Sequence, residues 1–408
     1  MWPASRSAAA DHTLSIVTIL RTRVLLDATA LPPGTSRGGV SRYVDELVAH
    51  WPTARLPLTV VAQSYDVDRY AAVLGPERVV AGPSWLGRQA ARLAWEQVGL
   101  PALVRAHRAD VIFSPHYTMP LAGRVLRHDG RRVAQVVTLH DATFFSHPHL
   151  HHGLKARFFP AWTRASVRLA DALIAPSQAT VDEVRAVTGS PASKFTVIPH
   201  GVDHARFRPP GAEEVRAARA WAGLAPDRPY VAFLGTLEPR KNVPALVDAF
   251  TRACAHREQP PALVLAGGRG WDDAIEPALA RVPAHLQVLR PGFVPEDLAA
   301  GFLGGAEVVA YPSLGEGFGL PVLEGMACAA PVLTTRLLSL PEVGGDAVAY
   351  ADSPSVADLA TALAGLLDDA AQRHTLAQAG RARAARFTWE ATVAAHVEVI
   401  ESVMGRSR

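Results

Sequence analysis

Two glutamates eight residues apart, Glu316 and Glu324, stand in the run YPSLGEGFGLPVLEGMA around Gly317, Gly319 and Pro321. The run reads as a strand end, a glycine-bearing loop and a helix opening near Pro321, because proline is well tolerated at the first helical position. Backbone amides at such a helix start attract an anion, and the glycines let a bulky ligand approach the backbone closely. Two carboxylates beside that site repel phosphate and are suited to hydrogen-bonding hydroxyls, Glu316 from the loop and Glu324 from about one turn into the helix. A ligand with both a diphosphate and sugar hydroxyls meets these demands, and that ligand is a nucleotide sugar.

The run FLGTLEPRKNVPALVDAF again passes from strand to loop to helix and places Arg240 and Lys241 at the helix start. The macrodipole disfavours cations there, so two of them are tolerable if they neutralise a bound dianion. Cations on a departing diphosphate would stabilise charge as a glycosidic bond breaks. Lysine occurs only at Lys155, Lys194 and Lys241, which favours a functional reading of Lys241 over chance placement on a helix surface.

After the first strand, in PPGTSRGGVSRYVDELVAHW, Val40, Tyr43, Val44, Leu47 and Val48 fall at helical spacing. Gly38 and Gly39 then sit where a loop enters a helix, and Arg42, off the apolar face, is placed to meet a phosphate or an acceptor. A tight turn with a solvated arginine is the alternative. In VVTLHDATFF, His140 and Asp141 follow a strand's carboxyl end, where histidine can donate to a substrate hydroxyl or to developing charge. A structural His–Asp cap is the alternative. His147, His149, His151 and His152 lack a carboxylate or cysteine partner at ligand-like spacing, so SHPHLHH reads as an acceptor-facing loop rather than a metal site. AGGRGW fails as a dinucleotide fingerprint because Gly267, Gly268 and Gly270 have the wrong spacing. The Asp66–Asp68 pair is a triplet common by chance and has no supporting phosphate site.

Short apolar runs alternating with helical patterns must position these groups, which predicts strand–helix units and parallel sheets. RVLLDA, LTVVA, VIFSP, VAQVVTL, ALIAPS and FTVIP are the strands of the first half; YVAFLG, ALVLAG, LQVLR, EVVAYPS and PVLTT those of the second. HGVDHARFRPPGA reads as a linker over 200–212. The expected division is a disordered extension at 1–20, an acceptor-binding Rossmann-like domain at 21–200, a nucleotide-sugar-binding one at 201–385 and a C-terminal helix at 386–408. Ligands in such sheets bind at the carboxyl ends of strands, and every candidate residue follows one. The 408 residues suit two domains, and no apolar run reaches the ~20 residues of a membrane span. A net charge of +3 gives no reason to expect nucleic acid. The two cysteines, Cys254 and Cys328, make no disulfide framework and fit a reducing cytoplasm.

Taken together, EGFGLPVLE, GTLEPRKN, GFVPEDLA and the opening GGVSRY resemble glycosyltransferase family 4, over nearly all of residues 22–400. The look is nearest to bacterial mannosyltransferase-like members of polysaccharide assembly. The resemblance implies an α/β chain of GT-B fold, with two Rossmann-like domains facing a central cleft. It also implies metal-independent, retaining hexosyl transfer from a GDP-, UDP- or dTDP-linked sugar to a glycan, lipid-linked or natural-product acceptor, without a cofactor.

By that likeness Glu316 holds donor-sugar hydroxyls and Glu324 the ribose diol. Gly317, Phe318 and Gly319 present backbone to sugar and phosphate, and Lys241 matches the diphosphate lysine. Gly39 belongs to the N-terminal glycine loop, His140 lies near the reacting carbon, and Phe293–Val294 reads the base. Arg42, Asp141 and His147 are the expected acceptor contacts. FTWEATV looks like the family's last helix, crossing back to the first domain.

The sequence departs from the family at Thr236, where many members carry an arginine that Arg240 is placed to replace. Arg336, Leu337 and Leu338 stand where small polar residues are usual. A sugar-nucleotide 2-epimerase, a pyridoxal-phosphate sugar phosphorylase and a non-catalytic nucleotide-sugar sensor are the rival readings. Arginines around Arg88, Arg92, Arg164 and Arg168 would give the first domain a basic face for a lipid-linked phosphate or a membrane. The expected location is cytoplasmic, with peripheral contact at the inner membrane face as an option.

Overall fold

A computed structural model of the chain describes residues 22–33, 38–142 and 154–406. The expected extension at 1–20 and the His147 loop lie outside the described residues.

The described chain divides into two compact units. The first holds residues 22–176, Thr180–Pro199 and the helix Trp389–Arg406; the second holds Ser177–Ala179 and His200–Thr388. In the first, β1 (Val24–Asp27), β2 (Leu58–Ala62), β3 (Val79–Ala81) and β4 (Val111–Ser114) precede a two-residue hairpin, β5 (Arg127–His128) and β6 (Arg131–Arg132). β7 (Ala134–Thr138), β8 (Ala172–Ala175) and β9 (Phe195–Val197) follow. The parallel sheet has the order β3-β2-β1-β4-β7-β8-β9. The chain therefore winds outward from β1 to β3 and then restarts on the other side at β4. β1, β4 and β7 are buried at every position, as strands covered on both faces must be.

The second unit contains β10 (Tyr230–Leu234), β11 (Ala262–Ala266), β12 (Val288–Gly292), β13 (Val308–Tyr311), β14 (Val332–Thr335) and β15 (Ala349–Ala351). Their order, β12-β11-β10-β13-β14-β15, repeats the same plan with the restart between β10 and β13. β3 and β15, each three residues long and partly open to solvent, were not read from the sequence.

The segment expected to be a linker over 200–212 is instead packed into the second unit. Val202 and Phe207 are buried in its core, and the Val202 amide donates to the Phe387 carbonyl. At the other end of the chain, Trp389, Val393, Val397 and Ile400 join the core of the first unit. This last helix also reaches Tyr43 on the helix Gly39–His50. The His396 Nδ1 donates to the Thr392 carbonyl at 2.7 Å, so its Nε2 accepts from the Tyr43 hydroxyl at 2.6 Å. Tyr43 in turn lies 2.9 Å from the Thr138 hydroxyl at the end of β7.

Candidate functional site

In an open parallel sheet the crevice for a ligand lies at the carboxyl ends of the strands where the winding reverses. In the second unit those strands are β10 and β13. After β10 the chain forms a single turn, Pro239–Lys241, before the helix Val243–Cys254, with Asn242 between them at φ +57°. After β13 it forms the loop that ends at Gly319, whose φ of +108° a side chain would strain, and enters the helix Leu320–Ala327. Backbone bonds stitch the two loops together. The Leu314 amide donates to the Arg240 carbonyl at 2.8 Å, and the Arg240 guanidinium to the Gly315 carbonyl at 2.7 Å.

This stitching gathers Arg240, Lys241 and Glu316 into one buried cluster. One carboxylate oxygen of Glu316 accepts from the Lys241 ammonium at 2.6 Å, the Ser313 hydroxyl at 2.7 Å and the Tyr311 hydroxyl at 2.9 Å. The other oxygen accepts from Arg240, and Lys241 also donates to the Tyr311 hydroxyl. Glu238 takes the second arm of the Arg240 guanidinium at 2.5 Å and stands 3.9 Å from the Lys241 ammonium. Burial alone would raise the Glu316 carboxyl, yet Arg240, Lys241 and the hydrogen bonds hold it at about 2. Burial, and then the neighbouring guanidinium, lower the Lys241 ammonium.

These contacts correct one expectation. The two cations do not await a dianion at a bare helix start; they lie in the turn before the helix and are already matched by Glu238 and Glu316.

Three hydroxyls, two at the end of β14 and one just beyond it, hold the glycine loop in shape. Thr334 donates to the Tyr311 carbonyl at 2.7 Å, Thr335 to the Ser313 carbonyl at 2.8 Å, and Ser339 to the Glu316 and Phe318 carbonyls at 2.8 and 2.9 Å. Phe318 turns its ring inward against His200 and Phe387, with centroids at 5.0 and 6.0 Å. Only its backbone is left to meet a ligand. Glu324 is buried within the helix. Val294 has its side chain in the core while Phe293 beside it is 55% exposed. The rejected AGGRGW run is a packing device: a side chain on Gly267 would come within 2.0 Å of the Gly235 carbonyl oxygen.

In the first unit the reversal lies between β1 and β4. His140, just past β7, is buried, and its Nε2 lies 2.7 Å from the Pro115 carbonyl. A carbonyl only accepts, so Nε2 carries the proton. Burial pushes the ring down to about 4, which leaves it neutral near pH 7 with Nδ1 as an acceptor. The expectation that His140 donates to substrate is corrected accordingly. Its donor is directed at backbone.

Asp141 is half-buried and its amide donates to the Tyr117 hydroxyl at 3.2 Å. Gly39 opens its helix, and Arg42 is half-buried one turn on, its amide bonded to the Gly38 carbonyl. Tyr43, the residue after Arg42, sets its ring edge-on to His140 at 4.8 Å.

Arg92 does not belong to an exposed basic face. It is buried, 2.9 Å from Glu96 and 3.9 Å from Asp27, while His116 lies 3.1 Å from Asp27. Arg88, Arg164 and Arg168 are exposed. Asp27, Glu96 and His116 bring three ligand atoms within 4.8 Å of one another, a spacing a metal ion could use. The Arg92 guanidinium already supplies a positive charge there.

Sequence reasoning missed Tyr311, Ser313 and Glu238 in the second unit. Their signal was slight: polar residues at a strand's last position, two residues beyond it, and just before the cationic turn.

Two sequence profiles match the chain. Glycosyltransferase Family 4 covers residues 37–206, and Glycosyl transferases group 1 covers residues 215–383. The O-antigen chain mannosyltransferase B of Escherichia coli is 30% identical over 260 residues, 62% of this chain and 67% of that one. A D-inositol 3-phosphate glycosyltransferase 2 of Catenulispora acidiphila is 34% identical over 254 residues, 57% of this chain and 56% of its own length. Among solved structures, Anabaena HepE in complex with UDP and glucose superposes with a TM-score of 0.72 at 19% identity, covering 93% of this chain and all of that one. Sucrose-phosphate synthase of Thermosynechococcus elongatus gives 0.75 at 22% identity, over 95% of this chain and all of that one. Two Rossmann-like units, the GT-B plan of these neighbours and the matched profiles agree: this chain belongs to the family 4 glycosyltransferases.

Proposed function

We propose that the protein is a retaining, metal-independent hexosyltransferase that moves a sugar from a nucleoside-diphosphate donor to a hydroxyl acceptor. The observation that carries this reading is the meeting of Lys241 and Arg240 with Glu316 at the carboxyl ends of β10 and β13. Two basic groups at one point suit a diphosphate without a metal where that anion takes the place of one of their own carboxylate partners. A carboxylate with its pKa held at about 2 stays an acceptor for sugar hydroxyls across the working pH range. Glu324 takes the ribose diol, and the backbone of Gly317–Gly319 and Val294 takes phosphate and base.

In the proposed step the acceptor oxygen attacks the anomeric carbon on the face from which the diphosphate leaves. The bond from that carbon to the diphosphate oxygen breaks as the new C–O bond forms, and the hydroxyl proton passes to the departing phosphate oxygen. Lys241 and Arg240 stabilise the charge that develops there. His140, Asp141 and Arg42 belong to the acceptor side in this reading.

The name of the Escherichia coli relative makes a mannosyl donor the first to try, and that of the HepE complex makes a UDP-sugar the second. Peripheral membrane contact is part of the proposal. Trp85, Val98 and Val125 are exposed, with Arg88, Arg105 and Arg108 also exposed on and around the helix Gln89–Ala106. No described helix is long and apolar enough to cross a membrane.

The test is a transfer assay with GDP-, UDP- and dTDP-sugars, in chelator, with and without mono- and lipid-linked sugar acceptors. Nucleoside diphosphate release that depends on acceptor, with a product whose anomeric configuration matches the donor's, is the expected result. An inverted product would end the retaining mechanism, and activity restored only by added divalent cation would end metal independence. Isomerised donor without any acceptor would identify an epimerase.

A further inference from the structure

We propose that Glu238 and Glu316 act as internal counter-anions of Arg240 and Lys241, and that Glu238 is the one an incoming diphosphate displaces. This rests on the donor-binding reading above and adds to it a residue that tunes how tightly the diphosphate is held.

The two glutamates are fastened very differently. Glu316 has the Ser313 and Tyr311 hydroxyls at 2.7 and 2.9 Å in addition to both cations, so it stays held when the cations turn to another anion. Among the described residues Glu238 has one hydrogen-bond donor, the Arg240 guanidinium at 2.5 Å, with Lys241 a looser 3.9 Å away. It also precedes the turn Pro239–Lys241 rather than lying inside it, and its side chain is more open to solvent than that of Glu316. An anion reaching the Arg240 guanidinium therefore meets Glu238 as its direct competitor for the same N–H groups.

Two carboxylates against two basic groups leave the site without the surplus of positive charge that tight diphosphate binding would exploit. Glu238 thus weakens the grip on the nucleoside diphosphate left behind after transfer. Repulsion between its carboxylate and the diphosphate acts at hydrogen-bond range, inside a partly buried site where screening is weak. Glu238 in this account is a positioning residue: it touches Arg240, not the reacting atoms.

The experiment is calorimetric titration of the full chain, as wild type, Glu238→Gln and Glu238→Asp, with GDP, UDP, dTDP, inorganic pyrophosphate and the corresponding nucleosides. Glu238→Gln should bind its nucleoside diphosphate about five- to tenfold more tightly. Product inhibition in the transfer assay should strengthen by the same ratio, and nucleoside affinity should not move. Glu238→Asp should restore wild-type affinity. A gain in affinity is the discriminating sign, because a loosened or misfolded site loses affinity. Unchanged or weaker diphosphate binding in Glu238→Gln, with wild-type binding intact, overturns the counter-anion role alone. No nucleoside diphosphate binding by the folded wild type would overturn the donor-site reading and this inference with it.

Discussion

Each unit carries two carboxylates and two basic side chains at the carboxyl ends of the strands where its sheet reverses. In the first unit these are Asp27, Glu96, Arg92 and His116; in the second they are Glu238, Glu316, Arg240 and Lys241. The first set is roofed by the helix Gln89–Ala106, which contributes Arg92 and Glu96 one turn apart, and Asp27 and Glu96 are wholly inaccessible. The second is framed by two loops, and the Arg240 and Glu238 side chains remain 17% and 14% exposed. Similar charges at equivalent places therefore have different prospects. A sealed set can fix geometry, whereas a set with an open rim can exchange partners with a ligand.

What the sealed set fixes is visible in the loop after β4. His116 is anchored to Asp27 at 3.1 Å and the Thr118 hydroxyl to Glu96 at 2.8 Å, with Tyr117 between them strained at φ +40°. Pro115 of the same loop receives the His140 Nε2 proton donor, and Tyr117 meets the Asp141 amide. The buried charges thus hold the backbone that orients His140. Asp27 is held down at about 2: burial would raise it, but His116 and Arg92 outweigh that.

Disrupting the sealed set should cost the molecule most. Arg92→Met leaves Asp27 and Glu96 without their shared cation, and removing one partner of a buried ion pair costs about 3–5 kcal/mol. Chemical denaturation should show that loss, and Arg92→Met with Glu96→Leu should recover much of it. Nucleoside diphosphate affinity of the folded variant should stay at the wild-type value. Wild-type stability in the single variant would mean the charges do not depend on one another.

Next in size is the open set. On the proposed mechanism Lys241→Ala should lower kcat by about 10²–10³, with a smaller change in KM, since the ammonium would matter most as charge builds on the leaving diphosphate. Equal turnover at saturating donor would remove Lys241 from the chemistry. Arg92→Met should lose stability and keep donor binding, whereas Lys241→Ala should keep much of its fold and lose turnover.

The open set was legible in sequence where chemistry is local. Glu316 and Lys241 announce themselves beside glycine loops at strand ends. Their mutual contact is not local: it spans 75 residues and depends on two loops stitched by the Arg240 carbonyl and guanidinium. Glu238 was invisible for the same reason, because a glutamate before a cationic turn gains meaning only when both cations point back at it.

The sealed set defeated periodicity. Its helix buries Arg92, Glu96, Leu100 and Val104 at every fourth position, so the inward face is charged in its first half and apolar in its second. Arg92 was accordingly read as part of an exposed basic face, although it is buried. The apolar runs were readable because buried parallel strands are apolar throughout; the order of the strands depends on contacts between distant segments and was not read.

The units should differ more subtly in acid sensitivity. His140 and His396, both in the first unit, are pushed by burial down to about 4 from an ordinary value near 6.5. The unfolded chain binds protons at these rings before the folded one does, so their neutral burial contributes stability in full above pH 6.5. That contribution falls as pH drops through 6.5 and is spent by about pH 4, with each ring worth up to a few kcal/mol.

In the second unit Glu316 is depressed from 4.5 to about 2, so its contribution is intact above pH 4.5 and disappears only as pH falls toward 2. Between pH 6.5 and 4.5 the first unit should therefore weaken while the second does not. Hydrogen exchange at pH 7 and pH 5 resolves the two: amides of β4 and β7 should lose protection relative to those of β10 and β13. His396→Gln should flatten part of this loss, since glutamine offers Tyr43 an acceptor that does not titrate. Equal loss of protection in both units, or none in either, would mean the two rings do not set the acid response of the first unit.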